Sequence, residues 1–357
     1  MATETAEITL EIKPETRFAV IDVTQRLAEQ CGDLFDPFRK LLYCSYHTTA
    51  GYLEQSLTAR LGHDRASVEA LVASAKKLFP EGAPYQHDRM ELRDELTAEQ
   101  KLVEPLNADS HLTFIGLGLE NCVTYDNAPG TPVYFIDLDG VFREHRRNRK
   151  TTVVGFNRET VVHEYQTVIP VSSHPIDSIN LRDPRLGLHE EINEKLEHYE
   201  VGKGRVVLSL EPGEHHAALT VNEYETLLMR HDLAEVLRYP FRFMAEKGMN
   251  MLRDPKAIRS KAKNYVKYDL VHVVNEFIDT LGLSESWVER LIDKFAAAEA
   301  SRRLRMKRSV NLLVNNTDVR GIGSIVQGTY QSPILVQWNK PQTGQSRRVT
   351  VRLVRFE

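Results

Sequence analysis

The chain carries one pattern twice, and a repeat constrains the architecture before any single element is assigned. In the first half, Tyr46-His47-Thr48-Thr49-Ala50-Gly51 follows an apolar run, and Tyr85-Gln86-His87 and Asn107-Ala108-Asp109-Ser110-His111-Leu112 come after it. In the second half, Ala218-Leu219-Thr220-Val221-Asn222-Glu223 follows a similar run, and Gly328-Thr329-Tyr330-Gln331 comes near the end. Each copy keeps motifs that the other lacks, which leaves room for a functional site divided between them.

A chain of 357 residues is long enough for about two domains. The repeat divides it into residues 1–160 and 161–357, with an insertion of mostly helical pattern at about 245–308 in the second copy. A formal charge of −4 argues against nucleic acid as a partner. Cys31, Cys44 and Cys122 are too few for a disulfide framework and show no metal spacing. The polar N-terminus has no apolar signal region, and no apolar run approaches the roughly 20 residues needed to span a bilayer. The expectation is a cytoplasmic protein without a membrane partner.

Ile8–Ile12 alternates as a half-buried strand should, and Phe18–Ile21 reads as a second strand followed by a helix capped at Asp22 or Thr24. Leu41–Tyr46 is an apolar strand that delivers His47 at its end. Val68, Leu71, Val72, Ala75 and Leu78 recur at helical spacing before Pro80. His111–Gly116, Cys122–Tyr125, Val133–Leu138 and Thr151–Val154 read as strands. In the second half Val168–Val171 and Arg205–Leu210 read as strands and Leu188, Ile192 and Leu196 as one helix face. Leu219–Leu237 reads as a turn and a helix. Ser309–Val314, Ser324–Gln327, Ile334–Trp338 and Val349–Val354 read as closing strands. Strands and helices in mixed order favour α+β, with a mixed or antiparallel sheet packed with helices in each copy.

His47, His87 and His111 come from three separate segments. Three imidazoles meeting at one point suit a divalent ion with an open position, zinc or magnesium, or general acid–base work. Thr48 and Thr49 suit either a phosphate held at a helix N-terminus or ordinary capping. Asp109 lies two residues from His111, so on an extended segment both side chains share a face. The basic run Arg143–Lys150 has its counterpart in Arg347 and Arg348, and arginine forks match phosphate oxygens. Gly116, Gly118, Gly321 and Gly323 do not form a dinucleotide fingerprint, and Cys44 reads as a buried strand residue.

The motifs resemble those of the YjbQ-type family, an uncharacterised protein family often described as secondary thiamine-phosphate synthases. His47–Gly51 is similar to its HTTAG segment, Tyr85–His87 to YxH, and Asn107–Leu112 to its NAxAHL segment. Asp139-Gly140 resembles the family's acidic residue, and Arg146-Arg147 its arginine pair. Leu219–Glu223 is similar to LTINE, Gly323–Gln331 to GxLxLGTWQ, and Ser346–Val349 to the last arginine segment. The copies depart from the pattern in opposite ways: Gln55 and Ser56 replace the NE pair in the first, and Glu214 replaces the histidine in the second.

The resemblance implies two tandem YjbQ-like domains, a small phosphorylated substrate and thiamine phosphate formation as a side activity. It implies His47, His87 and His111 as catalytic or metal-ligating groups. It implies Thr48, Thr49, Asn107, Arg146, Arg147, Asn222, Glu223 and Gln331 as substrate- or anion-binding groups. A homo-oligomer is also implied, with the first copy's histidines facing Asn222, Glu223 and Gln331. The rival readings are a metal-dependent hydrolase or lyase using the same histidines, and a non-catalytic binding or assembly module.

Overall fold

A computed structural model describes residues 5–93, 96–172, 177–223, 307–316, 321–339, 341 and 344–357. Residues 245–306 of the expected insertion at 245–308, and residues 224–237 of the expected turn and helix at 219–237, lie outside the described residues.

The first half runs through β1 (Ala6–Ile12), β2 (Ala19–Asp22), α1 (Val23–Cys31), β3 (Lys40–Ser45), β4 (Ala50–Gly51), α2 (Gln55–Arg60) and α3 (Arg65–Leu78). It continues with α4 (Ala98–Val103), α5 (Ala108–Leu117), β5 (Cys122–Asp126), β6 (Tyr134–Asp137), β7 (Val141–Phe142), β8 (His145–Arg146) and β9 (Arg149–Phe156). The second half contains β10 (Glu159–Pro170), β11 (Asp177–Asn180), α6 (Leu188–His198), β12 (Gly204–Leu210) and β13 (Ala217–Asn222). It closes with β14 (Ser309–Asn316), β15 (Gly323–Val326), β16 (Ser332–Gln337) and β17 (Ser346–Phe356). The fold is α+β, and every described strand pairing is antiparallel.

The sheet orders repeat between the halves. The order β1-β9-β3-β5 in the first matches β10-β17-β12-β14 in the second, where β15 is added, and β2-β6-β4 matches β11-β16-β13. Strand β3 is buried on both faces, which is why Leu41–Cys44 reads as an unbroken run rather than an alternation. On β3, Leu41 and Tyr43 enter the core with Leu10, Val123 and Phe135. Leu42 and Cys44 face the other way, into a cluster shared with Leu313, Val354 and Phe356 of the second half. There the Phe156 and Phe356 rings stack at 4.0 Å, so the two halves pack sheet against sheet.

Two expectations fail at elements that matter for the site. Residues 111–116 are helical, not extended: α5 spans Ala108–Leu117, ends on Gly118 in the left-handed region, and is buried along its whole length. A helix buried on all sides shows no amphipathic period, so an apolar run of this kind is indistinguishable from a buried strand by pattern. The helical twist of about 100° per residue sends Asp109 and His111 to opposite sides. Asp109 turns to Arg17, 2.7 Å away, and His111 to the second half. The segment Ala217–Asn222 is a strand rather than a turn.

Candidate functional site

The first half's α5 and the loop before it meet the end of β13 from the second half. His87 and His111 are both essentially buried, and their ring centres lie 5.1 Å apart. Their ring nitrogens and a carboxylate oxygen of Glu223 all fall within 4.8 Å of one another. His111 Nε2 stands 3.4 Å from Glu223 Oε2.

Asn222 fixes this geometry. Its amide nitrogen donates to the Thr48 carbonyl at 3.0 Å, and its Oδ1 accepts the Glu223 backbone N–H at 2.8 Å. With the amide so oriented, His111 must donate Nδ1–H to the same Oδ1, at 2.7 Å. The Nε2 lone pair is thereby turned toward the Glu223 carboxylate. Burial lowers the His111 pKa to about 4 despite the opposing pull of Glu223, so the ring is neutral near pH 7. On the other ring, His87 Nδ1 lies 3.3 Å from Asp88 Oδ1, and that carboxylate oxygen also accepts the Ala108 N–H that opens α5.

Two residues that the motif reading passed over complete the surroundings. Arg93, almost fully buried, donates to Glu223 Oε1 at 3.2 Å and lies 3.8 Å from Glu104. Burial raises the Glu104 carboxyl above its ordinary range, with Arg93 opposing and Glu223 reinforcing the shift. Neither belongs to a recognisable motif, since both come from the polar stretch between the histidine segments.

His47 does not join the other two histidines. Its Nε2 accepts the Lys150 backbone N–H at 2.7 Å, which ties the ring to the start of β9. In the second half Glu214 Oε1 accepts the Arg348 N–H at 3.1 Å, so the residue that replaces the histidine makes the same contact. Burial first, then Arg149 and Arg147, depress the His47 pKa to about 3.

This has a measurable consequence. Below pH 6.5 the unfolded chain takes up a proton that folded His47 refuses, so stability present above that pH is lost as pH falls. Relative to His47→Gln, which keeps an acceptor, the wild type is expected to lose roughly 2 kcal/mol between pH 6.5 and 5. Urea unfolding of both proteins at the two pH values measures it, and an unchanged difference would refute it.

The remaining candidates lie around this centre and along the junction of the halves. Gln331 donates Nε2–H to the carbonyls of Ser45 and His47, each at 3.0 Å, and its Oε1 accepts the Gly328 N–H. Thr48 and Thr49 lead into β4 rather than a helix, and Thr49 Oγ1 accepts from Arg149 at 3.1 Å. Asn107 donates to Asp139 Oδ2 at 2.8 Å. Arg146 is exposed on the β7–β8 hairpin, whereas Arg147 donates to Asp139 at 2.8 Å.

Within the basic run 143–150 the buried arginine is Arg149, paired with both oxygens of Asp137 at 2.7 and 2.8 Å and donating to the Asp139 carbonyl. Its counterpart is Arg347, which donates to Gln337 and to the Asn339 carbonyl. Aligning strands β9 and β17 by their Thr/Val pattern, instead of by the Arg-Arg dipeptide, would have matched Arg149 with Arg347.

Fold and site together define an α+β protein of two topologically repeated halves with a composite histidine–glutamate centre between them. Over about half its length the chain is similar to solved structures of the YjbQ/UPF0047 family. A YbjQ-like protein of unknown function from Sulfolobus solfataricus is 17% identical over 56% of this chain and 99% of its own, with a TM-score of 0.30. An uncharacterised YjbQ/UPF0047 protein from Clostridium acetobutylicum is 18% identical over 54% of this chain and 99% of its own, with a TM-score of 0.25. A conserved hypothetical protein from Thermus thermophilus is 17% identical over 53% and 98%, with a TM-score of 0.27. No protein-family model matches the chain, and no curated protein matches it.

Proposed function

We propose that this protein is a metal-dependent enzyme of the hydrolase or lyase type, with one divalent transition ion held by His87, His111 and Glu223. The observation that carries this reading is the arrangement around His111. Its Nε2 lone pair and the Glu223 carboxylate are both acceptors, placed 3.4 Å apart in a buried setting. Two such atoms repel unless a cation lies between them. Two imidazoles and one carboxylate form a zinc-type catalytic set with a position left open. Magnesium, which prefers oxygen ligands, fits this donor set less well.

A bound ion of this kind would acidify a coordinated water or polarise a carbonyl or phosphoryl oxygen. The chain's own residues orient the ligands: Asn222 sets the His111 tautomer, Asp88 holds His87, and Arg93 holds Glu223. These supporting contacts are the usual companions of a metal set.

The test is metal content per chain on full-length, untagged protein never exposed to chelator. About one zinc per chain is expected in the wild type and in His47→Gln, and almost none in His111→Gln or Glu223→Gln. Absence of metal from the wild type, or retention in both site variants, would overturn the assignment.

A small phosphorylated substrate is the second reading, favoured by Arg147. Its side chain is 36% exposed and uses one nitrogen on Asp139, which leaves donors for an anion. Thiamine phosphate formation is one reaction of that class.

A further inference from the structure

We propose that Asp139 and Asn107 form the recognition pair of this centre and accept hydrogen bonds from a substrate that carries an amino or similar N–H donor group. The inference rests on the metal reading above and specifies which substrates that site takes.

Both residues are buried, Asn107 to 4% and Asp139 to 1% exposure. Asp139 Oδ2 accepts two donors, Asn107 Nδ2–H and Arg147, each at 2.8 Å. Asp139 Oδ1 and Asn107 Oδ1 accept nothing among the described residues. The Asn107 amide cannot be turned over to change this, because its oxygen would then face a carboxylate. Two buried acceptors without donors are costly to leave so, at about 1–3 kcal/mol each, and native structures rarely do.

The position of Asn107 sharpens the point. It stands at the N-cap of α5, where asparagine ordinarily caps with its side chain, yet it makes no capping bond. Asp88 accepts the Ala108 N–H that opens the helix, and Asn107 Oδ1 stays available. Asn107 and His111 are four residues apart and share a face of the helix. Asp88 Oδ1 meets both His87 Nδ1, at 3.3 Å, and the N–H of Ala108, the residue after Asn107, at 3.0 Å. These contacts set Asn107, and Asp139 hydrogen-bonded to it, next to the residues of the His87–His111–Glu223 trio.

The repeat supplies an internal control. Arg149 donates to the Asp139 carbonyl at 2.7 Å, and Arg347 donates to the Asn339 carbonyl at 2.6 Å. The equivalent position of the second half thus carries an amide in the same backbone setting, and the fold does not require a carboxylate there. A carboxylate beside an amide oxygen selects donors, cationic ones above all, and repels anions.

The experiment uses the full chain loaded with zinc and two hydroxamates with the same three-carbon chain, propanohydroxamate and 3-aminopropanohydroxamate, which share a metal-binding head. The amino compound is expected to bind about tenfold more tightly. In Asp139→Asn that preference should fall to within about twofold, with propanohydroxamate affinity and zinc content retained. Retained zinc shows that the variant has folded. If zinc binds the wild type but the two hydroxamates bind equally or not at all, or if the preference survives in Asp139→Asn, this inference is overturned and the metal reading stands. If zinc does not bind, the metal reading fails and takes this inference with it.

Discussion

Replacing Arg149 with methionine is expected to destabilise the first half by about 4 kcal/mol, because removal of one partner strands the other charge in a buried setting. Arg149 is 4% exposed and Asp137 0%. The guanidinium meets both Asp137 oxygens and also serves the Asp139 carbonyl and the Thr49 hydroxyl. Methionine fills much of the volume but leaves the buried Asp137 charge with only the Asp139 N–H, at 3.0 Å, and takes the guanidinium from two further acceptors. The double variant Asp137→Gln with Arg149→Met should recover part of the loss, since the stranded charge is gone, and the second half already holds Gln337 at the equivalent place. Urea denaturation of the three proteins measures this. An Arg149→Met midpoint close to wild type, or a double variant less stable than the single one, would contradict it.

The second large effect is expected at Gly328, where the halves touch backbone to backbone. A Cβ added there would overlap the Tyr46 carbonyl oxygen. That oxygen belongs to the rigid exit of β3 and cannot retreat far, so residues 326–331 must withdraw. Gln331 would then lose its donations to Ser45 and His47. Overpacking of this kind costs roughly 1–3 kcal/mol, and two lost hydrogen bonds add about 1 kcal/mol each. Gly328→Ala should therefore lose about 3 kcal/mol and expose the junction to faster amide exchange around residues 45–47. Wild-type exchange rates at those amides in the alanine variant would show that the close approach is unimportant.

Much of the plan was legible in the chain. The repeat announced two equivalent sets of strands, and strand existence followed from apolar runs bounded by turn residues. Asp22 was correctly one of two candidate caps, accepting the Gln25 N–H. The splitting of motifs between copies also pointed to His111 facing Asn222 and Glu223. These features are local or periodic, and a linear pattern can carry them.

Tertiary structure alone decided the rest. The sequence offered three equivalent histidines, but His47 is committed to the Lys150 N–H from β9, 103 residues away, while Glu223 takes the third place beside His87 and His111. Of the basic run 143–150, burial against Asp137 selected Arg149 and left Arg146 exposed. The helical state of α5 was fixed by packing on every side, which erases the amphipathic signal that would have revealed it. The sequence determines which groups are present and which stretches pair. Which donors and acceptors finally face each other depends on contacts between segments far apart in the chain, where a single backbone N–H can remove a histidine from a site.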